Sequence, residues 1–186
     1  LDEEYSIKEY LGVKMNGETR RFFKELSTQI GENQVQNFLP YGGGFSTFDK
    51  EGQLLMLVCA GNSIIRLPPF PSGLLQINCQ NTLITTLPEL PEGLEWLHCP
   101  HNSKLSLLPK LPASLEKLNC NLTRVATLPE LPQNLQLLSI QGAPIATLPN
   151  IPKDLRAISY SGTPLAMNTD YINEIKQAHP NIKITN

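Results

Sequence analysis

The chain repeats itself at a fixed period. Leu-Pro pairs begin at Leu67, Leu87, Leu108, Leu128 and Leu148, in steps of 20, 21, 20 and 20 residues. Three residues after each stands a second apolar-Pro pair: Phe70-Pro71, Leu90-Pro91, Leu111-Pro112, Leu131-Pro132 and Ile151-Pro152. Four residues further come Leu74, Leu94, Leu115, Leu135 and Leu155, each opening the spacing L-x-x-L-x-(C/I/Y) that runs through Ile77 and Cys79, Leu97 and Cys99, Leu118 and Cys120, Leu138 and Ile140, Ile158 and Tyr160. A copy without prolines precedes them at Leu54, Leu57 and Cys59. A unit this short cannot bury its own apolar face, so it must stack on copies of itself.

This is the leucine-rich-repeat pattern at its short end, roughly 20 residues per turn. It predicts an α/β right-handed solenoid: a curved parallel sheet, a polyproline-like convex side, an N-terminal helical cap over 1–45, about six turns over 46–166 and a C-terminal helix-strand cap over 167–186. The first, fourth and sixth motif positions point into the core from strands near 54–59, 74–79, 94–99, 115–120, 135–140 and 155–160. The ninth position, Asn62, Thr82, Asn102, Thr123, Ala143 or Thr163, closes the turn through hydrogen bonds to backbone where it is polar. The eleventh is apolar again (Ile64, Ile84, Val125, Ile145, Leu165), and the 21-residue copy reaches Leu105 by one inserted residue near 100–104. Proline fixes φ near −65° and donates no hydrogen bond, which suits an extended limb outside the sheet. With 16 prolines the chain has many such sites.

The ends differ from the repeats. Ser6 to Glu9 carries the Ser-x-x-Glu helix-start signal in "SIKEYLG". Phe22, Phe23, Leu26 and Ile30 share one side of a helix that Gly31 stops, and Val35, Phe38 and Leu39 predict a third short turn before "PYGGG" opens a loop. At the other end a helix at about 170–178, capped by Thr169 or Asn168 and broken by Pro180, leads to a strand from Ile182 to Ile184; His179 supplies a favourable charge near that helix's C-terminus.

Chemistry finds little support. Net charge is −2, with no concentrated Lys or Arg face, so neither nucleic acid nor an anionic membrane is the expected partner. Arg20, Arg21 and Lys24 read as a solvated helix face. No stretch has the ~18 apolar residues of a membrane helix, and no charged-then-apolar leader opens the chain. The glycine run at 42–44 lacks the Lys-Ser/Thr of a phosphate loop, and Asn-Leu-Thr at 121–123 is read as an unused glycosylation acceptor. Cys59, Cys79, Cys99 and Cys120 all occupy the sixth position. Rungs ~4.8 Å apart spread four sulfurs over roughly 14 Å, too far for one ion, so they are expected to be reduced core thiols. His98 and His101 have no carboxylate spaced to orient them and no nucleophile on their face. Strand alternation turns Cys99 away from His98. No cofactor, metal or catalytic residue is expected.

A surface remains. The third motif positions read Met56, Gln76, Trp96, Lys117, Leu137 and Ala157 along the stack; the fifth read Val58, Asn78, His98, Asn119, Ser139 and Ser159; the seventh add Gln80, Asn121 and Gln141. An aromatic anchor ringed by polar groups is typical of interface hot spots. The alternative is that Trp96 lies flat over His98 and the Lys117 stem and shields the sheet. The favoured reading is a protein-binding strip of Gln76, Asn78, Trp96, His98, Lys117, Asn119, Leu137 and Ser139 on the concave face.

"LPELPEGLEWL", recurring as "LPKLPASLEKL" and "LPELPQNLQLL", closely resembles the Leu-Pro-x (LPX) leucine-rich repeats of bacterial effectors, the YopM-like scaffolds and IpaH/SspH-type ubiquitin ligases. The likeness covers about residues 54–165. It implies secretion by a bacterium into the host cytoplasm and recognition of a host protein by a chain expected to act as a monomer. The alternative it leaves is the substrate-recognition part of a larger effector ubiquitin ligase. Every Cys here belongs to the repeat core, so none carries over as that ligase's nucleophile.

Overall fold

The computed structural model describes residues 8–40, 45–61 and 63–185. Ser6, the 42–44 glycine run and Asn62 lie outside them.

The N-terminal cap opens differently from the expected helix. Lys8–Tyr10 (β1) and Val13–Met15 (β2) form an antiparallel hairpin. Leu11 and Gly12 link them with φ of 50° and 82°, the double left-handed turn that matches strand twist. Behind it Val13 and Met15 are buried while Lys14 is exposed. That alternation has the period of a strand and overrides the Ser6–Glu9 signal. Helix α1, Gly17–Ile30, follows as expected. Asn16 caps it by accepting from the Thr19 amide, Phe22, Phe23 and Leu26 are buried, and Gly31 ends it at φ 83°. Helix α2, Glu32–Gln36, buries Val35. The buried Thr19 hydroxyl then accepts from the Leu54 amide at 3.0 Å, which ties the cap to the first repeat strand.

One eight-stranded sheet runs the length of the solenoid. Thr47–Phe48 (β3), absent from the expectation, pairs antiparallel with Leu54–Val58 (β4) and covers its outer edge. Gln76–Asn78 (β5), Trp96–His98 (β6), Lys117–Asn119 (β7), Leu137–Ser139 (β8) and Ala157–Ser159 (β9) then stack in parallel. Their register matches equivalent motif positions: Met56, Gln76, Trp96, Lys117, Leu137 and Ala157 are successive partners, as are Leu57, Ile77, Leu97, Leu118, Leu138 and Ile158. The strands after β4 are three residues long, shorter than the six-residue spans expected, because only the third to fifth positions keep full ladder geometry.

The prolines do two jobs. Leu87, Leu90, Leu111, Leu128, Leu131 and Leu148 pack inward from the convex limb. The second proline of each pair also opens a tight turn into the next strand: the Leu74, Leu94, Leu115, Leu135 and Leu155 amides donate to the carbonyls of Pro71, Pro91, Pro112, Pro132 and Pro152 at 3.0–3.2 Å. The opposite bend also recurs. The eighth position is left-handed in every copy, at Gly61, Asn81, His101, Leu122, Gly142 and Gly162. The inserted residue of the longer copy falls in the Ser103-Lys104 turn, where the Leu105 amide donates to the Asn102 carbonyl at 3.0 Å and Leu105 regains its buried place.

At the far end Thr163 caps a 3-10 turn, Pro164–Met167. Asn168, one of the two expected caps, accepts from the Tyr171 amide and opens helix α3, Thr169–Ala178. Ile172 and Ile175 close the core there. Strand β10, Lys183–Thr185, pairs parallel with β9 and lies one residue beyond the expected span. Among the described residues no helix is long and apolar enough to cross a membrane.

Candidate functional site

The sheet face carries the two columns that alternation requires. In β6, β7 and β8 the third position is exposed, the fourth buried and the fifth half-buried. The eight candidate residues therefore share one face, on four adjacent strands in register. Trp96 and Leu137 are the large apolar side chains raised from it, 38% and 42% exposed. Lys117 sits between them in the ladder and places its Nζ 5.4 Å from the Trp96 ring centroid. The indole meets His98 edge-on, with centroids 6.0 Å apart at 64°. Trp96 is thus steadied from two sides and still leaves over a third of its surface in solvent.

The fifth and seventh columns are knitted together by amides. His98 Nε2 lies 3.3 Å from Gln80 Oε1, and Asn121 Nδ2 donates to Gln141 Oε1 at the same distance. The Ser139 hydroxyl donates to Asn121 Oδ1 at 2.9 Å, and the Gln141 amide reaches the same oxygen at 2.7 Å. Asn78 and Asn119 each accept from the backbone two residues on, at Gln80 and Asn121. These links hold the amide side chains in one arrangement, which lowers the entropic cost of a partner docking on them. Sequence reading gave the seventh position only a supporting place; the carboxamides there at Gln80, Asn121 and Gln141 were the signal for the network.

Partial burial lowers the His98 pKa, and the neighbouring His101 lowers it further. His101 lies in the left-handed turn beyond the strand and is exposed. Among the described residues no group of three or more His, Cys, Asp or Glu is placed to hold a metal.

The cysteine column lies on the other side of the sheet, fully buried and unpaired by disulfides. Burial pushes the Cys79 and Cys120 thiols up to about 12 and raises Cys59 and Cys99 well above their ordinary range. The thiolate is the reactive form, so the folded protein is expected to resist iodoacetamide at pH 8 and to take up four equivalents in guanidinium. The unfolded chain loses these protons first, at about pH 9. The burial contribution is therefore full below that pH and is lost as pH climbs toward 12, a fall in stability that denaturation at pH 7.5 and 10.5 measures.

The same architecture occurs in solved structures. A Shigella effector LRR domain superposes with a TM-score of 0.57 over 89% of this chain and 95% of that one, at 19% identity. The fold is a leucine-rich-repeat solenoid. YopM from Yersinia enterocolitica WA-314 is similar with a TM-score of 0.50 and 32% identity, over 55% of this chain and 22% of that one. This solenoid therefore corresponds to a minor part of the YopM chain's length. No family model and no curated protein matches the sequence.

Proposed function

We propose that this solenoid is a non-catalytic protein-binding module of the LPX effector type, secreted by a bacterium into the host cell. It engages a host protein as a monomer through Gln76, Asn78, Trp96, His98, Lys117, Asn119, Leu137 and Ser139. One observation carries the reading: two exposed apolar side chains, Trp96 and Leu137, flank Lys117 on a face otherwise made of hydrogen-bonded amides and hydroxyls. The two columns hold no carboxylate. Such a face suits a partner that lays apolar side chains on the exposed surfaces of the indole and Leu137, with backbone or carboxamide groups on the amide columns. The likeness to a Shigella effector domain supports effector use, and the 32% identity to YopM supports the LPX subtype.

The double variant Trp96→Ala with His98→Ala tests it. Both side chains leave the core untouched, so the circular dichroism spectrum and melting temperature stay near wild type. Capture of the cognate partner from host-cell lysate should fall by about tenfold or more, the loss of roughly 1.4 kcal/mol or above that a truncated hot spot gives. Unchanged capture by the folded variant removes these residues from the interface.

A further inference from the structure

Along the convex wall a side chain closes one rung, and the two rungs before it stay open. The Leu131 amide donates to Asn150 Oδ1 at 2.8 Å, and Asn150 Nδ2 donates to the Leu131 carbonyl at 2.9 Å. One carboxamide thereby satisfies both backbone groups of a residue whose extended limb offers no neighbouring ladder. Asn150 is the middle residue of its own Leu-Pro-x-Ile-Pro; the same place holds Glu130 one turn earlier and Lys110 one before that. By the same geometry these face Leu111 and Leu90. A carboxylate can accept from the amide and gives nothing to the carbonyl, while an ammonium does the reverse. Glu130 and Lys110 are exposed, and among the described residues no hydrogen bond uses the amide or carbonyl of Leu90 or Leu111. A cleft of about 490 Å³ opens over these rungs, lined by Leu90, Leu111 and Leu131, with Glu89, Glu92, Glu130 and Lys110 on its rim. Three carboxylates against one ammonium leave that rim at −2.

We propose that this cleft binds an extended segment of a partner protein presenting two carboxamide side chains, Asn or Gln, at i and i+2, with Lys or Arg beside them. Each carboxamide repeats the two-bond contact of Asn150, one on Leu90 and one on Leu111. Residues i and i+2 of an extended chain lie about 6.6 Å apart, while turns spaced ~4.8 Å at the sheet diverge on the outer side of a curved solenoid. The basic side chains meet the carboxylate rim. This second docking surface lies on the wall opposite the sheet face and stands whether or not that face binds a protein.

The test is an amide NMR titration of the whole chain with the capped peptide Ac-Lys-Asn-Lys-Asn-Lys-NH2, against Ac-Lys-Ala-Lys-Ala-Lys-NH2. The Asn peptide should shift the Leu90 and Leu111 amides to saturation and leave Leu131, already bonded, in place. The Ala peptide should not move those two amides. In a double variant, Lys110→Asn with Glu130→Asn, both amides should take their bonded positions with no peptide added, and peptide affinity should drop by about tenfold or more. Equal shifts with both peptides, no shift with either, or unmoved amides in the double variant each overturn the proposal. Trp96→Ala should titrate as wild type, which separates this site from the sheet-face reading.

Discussion

Asn102→Ala is expected to cost about 2–5 kcal/mol of folding stability by denaturant titration, although only a small polar group is removed. Asn102 is fully buried. Its Nδ2 donates to the carbonyls of Cys79 and Cys99 at 2.9 and 3.0 Å, and its Oδ1 accepts from the amide and hydroxyl of Thr82 at 2.7 and 2.8 Å. Three of these bonds join Asn102 to the preceding turn, and the fourth closes its own. Alanine leaves the Thr82 amide and the Cys99 carbonyl buried without a partner, each worth roughly 1–3 kcal/mol. Asn102→Asp keeps the shape and loses both donated bonds, turning carboxylate oxygen toward two carbonyls; it should be at least as damaging. Thr123→Ala makes the comparison, since the Thr123 hydroxyl bonds mainly the Cys120 carbonyl at 2.8 Å within its own turn, for a loss near 1 kcal/mol. An Asn102→Ala loss below that of Thr123→Ala would show that the cross-turn bonds do not hold the stack.

The period made most of the solenoid legible. Copies in steps of 20 or 21 place equivalent residues side by side, so the alternation read in one strand extends to all, and the Trp96–Lys117–Leu137 column follows from counting. Outside the repeats nothing multiplied a weak signal. Ser6-x-x-Glu9 matched a helix start, but Val13–Met15, beyond the Leu11-Gly12 turn, alternates in the strand period. Strand β3 is two residues long and carries no pattern of its own. Within the repeats the missing parts were cross-turn contacts made by side chains that break the consensus. Asn150, Glu130 and Lys110 look interchangeable in the sequence as polar residues between prolines. Only the backbone of Leu131, one turn away, distinguishes the carboxamide from the charges. The tight Pro-x-x-Leu turns were hidden for a similar reason: an extended limb explains the prolines, but the carbonyl that turns the chain is found only in three dimensions.

Leu97→Ala is expected to remove about 2–5 kcal/mol, the cost of a core cavity that a stacked repeat cannot collapse around. Leu97 is fully buried on the central strand β6, in register with Ile77 on one side and Leu118 on the other. In a solenoid each turn is held by its two neighbours, so this cavity weakens two interfaces where a terminal rung would weaken one. Its neighbour along the chain, Trp96, points to the opposite face, and Trp96→Ala should cost about 1 kcal/mol or less, the loss of its contacts with Lys117 and His98. The pair Leu137 and Leu138 repeats the contrast: Leu138 is 2% exposed and Leu137 42%, so Leu138→Ala should destabilise and Leu137→Ala should not. A one-residue register error exchanges inward and outward positions along a strand. It would therefore reverse both pairs together, with stability lost at Trp96 and Leu137 and retained at Leu97 and Leu138. Melting curves of these four single variants thus test the placement of the whole outward column, since the residues whose truncation costs little stability are the ones the sheet turns to solvent.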